Sequence, residues 1–324
     1  MGVNVSVLAI DAGNSKTDVA LIGEDGTVLS SARGGGFQPP VVGAEAALDV
    51  LAGLVGQALA MAGERIDGVE HVSACLANVD LPVEEAELTA AVVGRDWGRT
   101  VEIRNDTFAI LRAGVDEPRG VAVVCGAGIN CVGMLPDGRT ARFPAIGRIS
   151  GDWGGGGGLA EEAMWFAARA EDGRGGPTEL ARALPAHFGL DSMYALIEAL
   201  HLGRIDAERR HELAPVLFAT AREGDPVAVG LVERLAAEVV AMASVALGRL
   251  DLLDVPAPVV LGGGVMAARH PQLDAKIAEL LAERAPKAVI RVVTEPPVLG
   301  AALLGLDRTG APEPVHRRLR AQYS

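Results

Sequence analysis

The stretch IDAGNSKTDVALIGEDGTVL, residues 10–29, sets a turn of small and polar residues between two apolar runs and then closes with Asp25-Gly26. Apolar runs joined by such turns read as strands, here over 5–11, 17–23 and 27–32, because Asp-Gly supplies the backbone freedom that a two-residue hairpin needs. The same plan returns in VAVVCGAGINCVGMLPDGRTARFP, residues 121–144: an apolar run, a small-residue turn, a second apolar run, a Pro-Asp-Gly hairpin and a third run. One supersecondary unit is written twice in this chain.

The segments around these copies alternate in period. Residues 43–62 place Ala and Leu at three- and four-residue intervals, the helical spacing. VEHVSACLANVD returns to a strand, PVEEAELTAAVVG to a helix, TVEIRND to a strand and TFAILRAG to a helix. Such alternation predicts an α/β fold with a partly parallel sheet under helical cover. After the second copy, GDWGGGGGLAEEAMWFAARA runs from glycines into an amphipathic helix, and helical patterns continue to about residue 250. APVVLGGGVMAARHPQL then reads as strand, glycine triplet and helix start, and KAVIRVVTEPPVLGAALLGL as strand and helix. Two lobes are expected, over 1–118 and 119–306, followed by a polar tail over 307–324.

Composition narrows the function. The 324 residues carry 29 basic and 42 acidic side chains, a net charge of −13, which argues against affinity for nucleic acid or anionic membrane surfaces. Aromatic residues make up 3% of the chain, so stacking on rings does not dominate recognition. No secretory leader is apparent and no apolar run approaches the length of a membrane span, so a cytoplasmic protein is expected. Cys75, Cys125 and Cys131 are widely spaced without a CxxC pair, and buried thiols are expected rather than a disulfide or zinc framework.

The small-residue turns are where anions would be held. Backbone N–H groups converge in a tight turn and bind phosphate oxygens where side chains leave room. Gly13, Asn14 and Ser15 are small enough, Lys16 adds charge, and Ser15 and Thr17 add hydroxyls. The pattern is not a P-loop, since Lys16 follows Ser15 rather than the required glycine. Gly126-Ala127-Gly128 stands at the equivalent point of the second copy, and Gly262-Gly263-Gly264 follows a strand with a backbone-lined surface suited to a nucleoside.

These residues resemble the N-acetylglucosamine kinase and BadF/BadG/BcrA/BcrD ATPase group of the actin, sugar kinase and Hsp70 superfamily. The likeness runs over about residues 5–306 and rests on DAGNSKTDVALIGEDG, NDTFAILRAG, VVCGAGINCVGMLPDG, GRISGDWGGGGGL, VVLGGGVMAARHPQL and EPPVLGAALLG in that order. The resemblance implies two ribonuclease H-like lobes closing on MgATP in a cleft, a homodimer, and transfer of phosphate to a hydroxyl of an amino sugar or related hexose, N-acetylglucosamine or glucosamine first. It places Asp106 as the catalytic base, Asp11 as the carboxylate that holds Mg²⁺ through water, and Gly13, Asn14, Ser15, Lys16 and Thr17 with Gly126, Ala127 and Gly128 at the phosphates. Gly262, Gly263 and Gly264 fall at the adenosine. Asp152 falls on the sugar side, with Ala145, Ile146 and Gly147 where relatives line an acetamido pocket.

Three departures bear on the substrate. Gln38 is the nearest amide to the place where sugar-binding members carry Asn. Ala127 and Ile129 stand where many relatives have hydroxyl residues, and the Gly-Trp character of the acetamido segment is missing. Two other readings remain open at this point. One is an ATPase activator of acyl-CoA dehydratases or reductases, which needs cysteines for an iron–sulfur cluster. The other is a non-catalytic sugar sensor. A carboxylate just past the strand TVEIRN suits the base role, whereas Asn105-Asp106-Thr107 also suits a helix N-cap.

Overall fold

The computed structural model describes residues 3–63 and 66–323. It contains two five-stranded sheets. The first consists of β1 (Val3–Ala12), β2 (Lys16–Gly23), β3 (Val28–Gly35), β4 (Ile66–Leu76) and β5 (Thr100–Asn105), in the order β3-β2-β1-β4-β5. The second consists of β6 (Gly120–Cys125), β7 (Ile129–Met134), β8 (Thr140–Arg142), β9 (Ala257–Gly262) and β10 (Ala288–Val292), in the order β10-β9-β6-β7-β8. Read from the third strand of each copy, the two orders are the same. The duplicated unit seen in the sequence is a duplicated sheet.

Strand β1 is the middle strand of the first sheet. It pairs antiparallel with β2 and parallel with β4, and Val5, Val7, Leu8, Ala9 and Ile10 are all buried. An apolar run without alternation is the mark of a strand covered on both faces. Leu8, Ile10 and Ala12 join one core with Leu48, Leu51 and Val55 of the helix Ala44–Ala62. Val7, of opposite parity, lies against Gly305 of the helix Pro297–Thr309, whose residues 298–306 are all buried. Asp11 shares the parity of Val7.

The chain forms two compact units. The first comprises Met1–Ala122, Val132–Pro144 and Val293–Ser324, and the second Val123–Cys131 and Ala145–Val292. The first unit holds the whole of the first sheet with its two covering helices. The second unit is built on helices, among them Gly155–Glu171, Leu213–Arg222, Pro226–Arg249 and Pro271–Arg284. The Asp225 side chain caps the longest of these by accepting from Ala228 N, which satisfies one of the orphan donors at a helix start.

Two sequence expectations need correction. The helix Ala44–Ala62 has 19 residues and is long and apolar enough to cross a membrane by length and composition, although no such run was expected. Its Leu48, Leu51, Leu54 and Val55 instead pack in the core described above. Residues 307–324 were read as a tail. Asp307–Thr309 complete one helix, Glu313–Arg320 form another, and Arg318 pairs with Asp25 while Gln322 bonds Val28 N at 2.9 Å and Gly26 O at 2.9 Å.

Candidate active site

In the first unit the predicted residues converge at the carboxyl ends of β1, β4 and β5. Ala12, Leu76 and Asn105 are register partners across the three parallel strands, and Asp11, Cys75 and Arg104 form the row before them. Gly13 and Asp106 are the residues that follow. Open α/β sheets bind ligands at this end of their strands. Ala77 N donates to Ala12 O at 2.7 Å and Asp106 N to Leu76 O at 3.2 Å, so the ladder carries its register into the loops.

The turn after β1 is narrow and pinned. Gly13 N donates to Lys16 O at 2.9 Å, and Phe37 N donates to Gly13 O at 2.9 Å. Asn14, Ser15 and Lys16 are exposed, whereas Thr17 is buried within β2. The Thr17 hydroxyl is thus enclosed rather than offered to a ligand, and the open turn is one residue shorter than the sequence suggested. Gln38 donates from Nε2 to Asn14 O at 2.7 Å, so its amide secures this turn. Gly36 passes so close that a Cβ there would lie 1.9 Å from Asn14 O. Only glycine fits at that crossing.

The electrostatics of this end are dominated by carboxylates. Asp11 is 5% exposed, and its carboxyl is pushed up to about 8, first by burial and then by the charges of Asp106 and Asp18, with Lys16 opposing. Asp18 faces Asp11 across the β1–β2 pair and is held by Arg33 at 2.5 and 3.1 Å. Lys16 Nζ stands 3.9 Å from Asp18 Oδ2. Asp106 is half-buried, and burial raises its carboxyl to about 6 against the opposing influence of the Thr107 N–H and its own.

Asp106 does not act as the helix cap. It is the residue before the helix Thr107–Ala113, has helical φ and ψ of −59° and −24°, and makes no side-chain cap bond. Asn105 takes that part, since its Oδ1 accepts from Thr107 N at 2.9 Å. The Asp106 carboxylate is left for other work.

In the second unit three glycine segments meet. Gly156 N donates to Gly126 O at 2.7 Å and Gly157 N to Ala127 O at 3.0 Å, so the glycine run before the helix Gly155–Glu171 lies on the β6–β7 turn. Gly263 has φ +86°, and a Cβ there would come within 2.4 Å of Cys125 O. Gly126, Ala127 and Gly128 are thereby flanked by Gly154–Gly157 on one side and Gly262–Gly264 on the other. Ile129 is buried and packs towards Gly154, which explains how an apolar residue stands beside this turn.

A cavity of about 250 Å³ opens against that turn, lined by Ala127, Gly128, Ala145, Gly147, Asp152 and Trp153 among others. Asp152 Oδ2 accepts from Gly147 N at 3.0 Å and from the Ser150 hydroxyl at 2.5 Å, which folds the 147–152 loop around the carboxylate. Ile146 is exposed beside it. Sequence reasoning missed Trp153, Arg148 and Glu161 on the wall; Arg234 lies 4.1 Å over the Trp153 ring and Arg148 pairs with Glu162. It also missed Asn78 and Asp80 in the first unit, whose only signal was their place in the loop after β4.

The family model of the BadF/BadG/BcrA/BcrD ATPase family matches residues 8–305. The chain belongs to the BadF/BadG/BcrA/BcrD ATPase family. Among relatives of this chain, the N-acetylmuramic acid/N-acetylglucosamine kinase of Clostridium acetobutylicum is 24% identical over 260 residues, 80% of this chain and 85% of the relative. The N-acetyl-D-glucosamine kinase of Dictyostelium discoideum is 26% identical over 208 residues, 63% of this chain and 65% of the relative. The solved structure of a candidate N-acetylglucosamine kinase from Chromobacterium violaceum superposes with a TM-score of 0.70 at 23% identity, covering 92% of this chain and 98% of that one. That likeness establishes the fold, the actin-like ATPase architecture with its repeated ribonuclease H-like sheet.

Proposed function

We propose that this family member is an ATP-dependent sugar kinase that transfers the γ-phosphoryl group of ATP to a hydroxyl of an amino sugar or related hexose, N-acetylglucosamine or glucosamine first. The observation that carries this reading is Asp106. It is a half-buried carboxylate without a capping duty, just past the end of β5 and two strands over from Asp11, raised to about 6 and therefore ionised but basic near neutral pH. A general base works best when its pKa lies near the working pH. The names of the two curated relatives support the acceptor class.

In this reading the acceptor hydroxyl gives its proton to the Asp106 carboxylate as its oxygen forms a bond to the γ-phosphorus. The bond from that phosphorus to the β–γ bridging oxygen breaks, and ADP and the sugar phosphate leave. Little covalent help is needed from the protein, since positioning and charge stabilisation dominate such transfers. The exposed residues Asn14, Ser15 and Lys16, in the turn that Gly13 closes, serve phosphate in the first unit. The turn Gly126–Gly128 and the glycines Gly262–Gly264 serve the nucleotide in the second. Asp152, with Ala145, Ile146 and Gly147, carries the acceptor assignment in the second unit.

The residues present suit Mg²⁺. Among the described residues no group of three or more His, Cys, Asp or Glu is placed to hold a metal alone, and magnesium commonly keeps several waters and one or two carboxylates. Asp11 fits that role, because its crowding by Asp106 and Asp18 is relieved by a cation beside it. When bound, the ion supplies neutralisation of phosphate charge. The activator reading fares worse: Cys75, Cys125 and Cys131 are buried in strands, and burial drives all three thiols up, Cys125 to about 12.

A homodimer in the cytoplasm is part of the same proposal; the exposed Trp165 and Tyr194 on the second unit's helices, with Leu202 just past one of them, support the dimer. Sedimentation velocity tests the dimer. The decisive experiment incubates the protein with MgATP and a panel of hexoses and amino sugars and follows ADP and sugar phosphate by mass spectrometry. One amino sugar phosphorylated with one ADP per product is the expected result. ATP hydrolysis without a phosphorylated acceptor overturns the reading.

A further inference from the structure

We propose that the loop 77–81 is a two-armed positioning element, in which Asn78 holds the turn Gly13–Lys16 while Asp80, acting through Asn105, holds the start of the helix that carries Asp106. The inference rests on the kinase reading for its kinetic consequences and on hydrogen-bond geometry for its existence.

The loop is itself fixed in place. Glu84 Oε2 accepts from Asp80 N at 2.9 Å and from Leu81 N at 2.8 Å, and Arg142 Nη2 donates to Val79 O at 3.1 Å while its Nη1 pairs with Glu85. Asn78 sits at φ +61°, a left-handed conformation that Asn adopts more readily than other side-chain-bearing residues. Asn78 Nδ2 then donates to Asn14 Oδ1 at 3.0 Å and to Phe37 O at 3.2 Å. One amide thus joins the phosphate turn to the segment that crosses beneath it.

Asp80 is the other arm. Its Oδ1 accepts from Asn105 Nδ2 at 2.9 Å, and Asn105 Oδ1 accepts from Thr107 N at 2.9 Å. The amide orientation follows from chemistry: Thr107 N–H can only donate and an ionised carboxylate can only accept, so oxygen must face Thr107 and nitrogen must face Asp80. Asn105 is 3% exposed, and a buried amide with both ends engaged has one orientation. Taking away Asp80 removes the acceptor that fixes this orientation, and the hold of Asn105 on Thr107 N–H loosens at the residue beside Asp106. Both Asn78 and Asp80 are positioning residues, acting on Asn14 and on Asp106 through others.

The arms predict separate defects. Asp80→Ala should lower kcat about 10- to 100-fold with both KM values within about twofold, the loss expected when a catalytic group is misplaced by about 1 Å. Asp80→Asn, which keeps an acceptor, should restore kcat to within about threefold. Asn78→Ala should raise the KM for ATP about tenfold and leave kcat within about threefold. Hydrogen exchange read by mass spectrometry supplies a test without turnover: amides at 105–109 should exchange faster in Asp80→Ala alone, and those at 13–17 faster in Asn78→Ala alone.

If Asp80→Ala does not fold, Asn105→Asp keeps the acceptor for Thr107 N–H but sets two carboxylates together, and it should show the same loss of kcat. Variants that change the same constants together, or an Asp80→Ala protein with unchanged kcat and unchanged exchange, overturn the proposal. Wild-type protein inactive on every sugar would overturn the kinase reading instead, with the exchange pattern still deciding the loop.

Discussion

Replacing Asp106 with asparagine keeps the shape of the side chain and removes its ability to take a proton. The strand end and the turn Gly13–Lys16 are untouched, so MgATP binding should change little while kcat falls by about 10² to 10⁴, the usual worth of a positioned base. The wild-type pH profile gives a second number. Burial places the Asp106 carboxyl at about 6, so about one molecule in eleven carries the carboxylate at pH 5 and about ten in eleven at pH 7. The active form is the ionised one, hence the rate should rise about tenfold from pH 5 to pH 7 and then level. The assay is coupled ADP release under saturating ATP and sugar, with circular dichroism at each pH. A flat profile between pH 5 and 7 in folded protein, or an Asp106→Asn enzyme within tenfold of wild type, refutes the base assignment.

Three other perturbations follow from the same geometry. Asp11 titrates at about 8 when folded against an ordinary 3.8, so the folded chain keeps a proton that the unfolded chain has released; the associated stability is complete below about pH 4 and drains away as pH rises through 8. Asp11→Asn should therefore stabilise the ligand-free protein by about 2 kcal/mol at pH 5 and about 5 kcal/mol at pH 8, while weakening MgATP binding; equal gains in Tm at both pH values by calorimetry refute it. Gly36→Ala sets a Cβ 1.9 Å from Asn14 O, and the displaced turn should raise the KM for ATP by about tenfold or more, measured by steady-state kinetics. Arg112 is 2% exposed and pairs with Asp307 at 2.7 and 3.0 Å, so Arg112→Met should cost about 3 to 5 kcal/mol in chemical denaturation, and a loss under 1 kcal/mol would count against that buried pair.

What the sequence disclosed and what it withheld divide along a physical line. The β1–β2 and β6–β7 turns, the strand periods and the glycine runs depend on neighbours within a few residues, and they were legible. Asn78 and Asp80 were not, because their partners lie 64 and 25 residues away along the chain and an Asn or Asp in a loop reads the same whether it is solvated or engaged. Thr17 shows the limit of motif reading even at short range: register opposite Ala12 encloses its hydroxyl in the sheet, a consequence of strand parity that the motif's letters do not carry. The segment 307–324 is the sharpest case. It was read as a polar tail, yet Arg320 donates to Ala113 O at 2.8 Å, to Arg112 O at 3.1 Å and to Val115 O. Cationic side chains at a helix C-terminus satisfy its orphan carbonyls and complement its dipole. The helix so capped is the one that Asp106 opens, so a cation near the end of the chain secures the element on which the proposed chemistry rests.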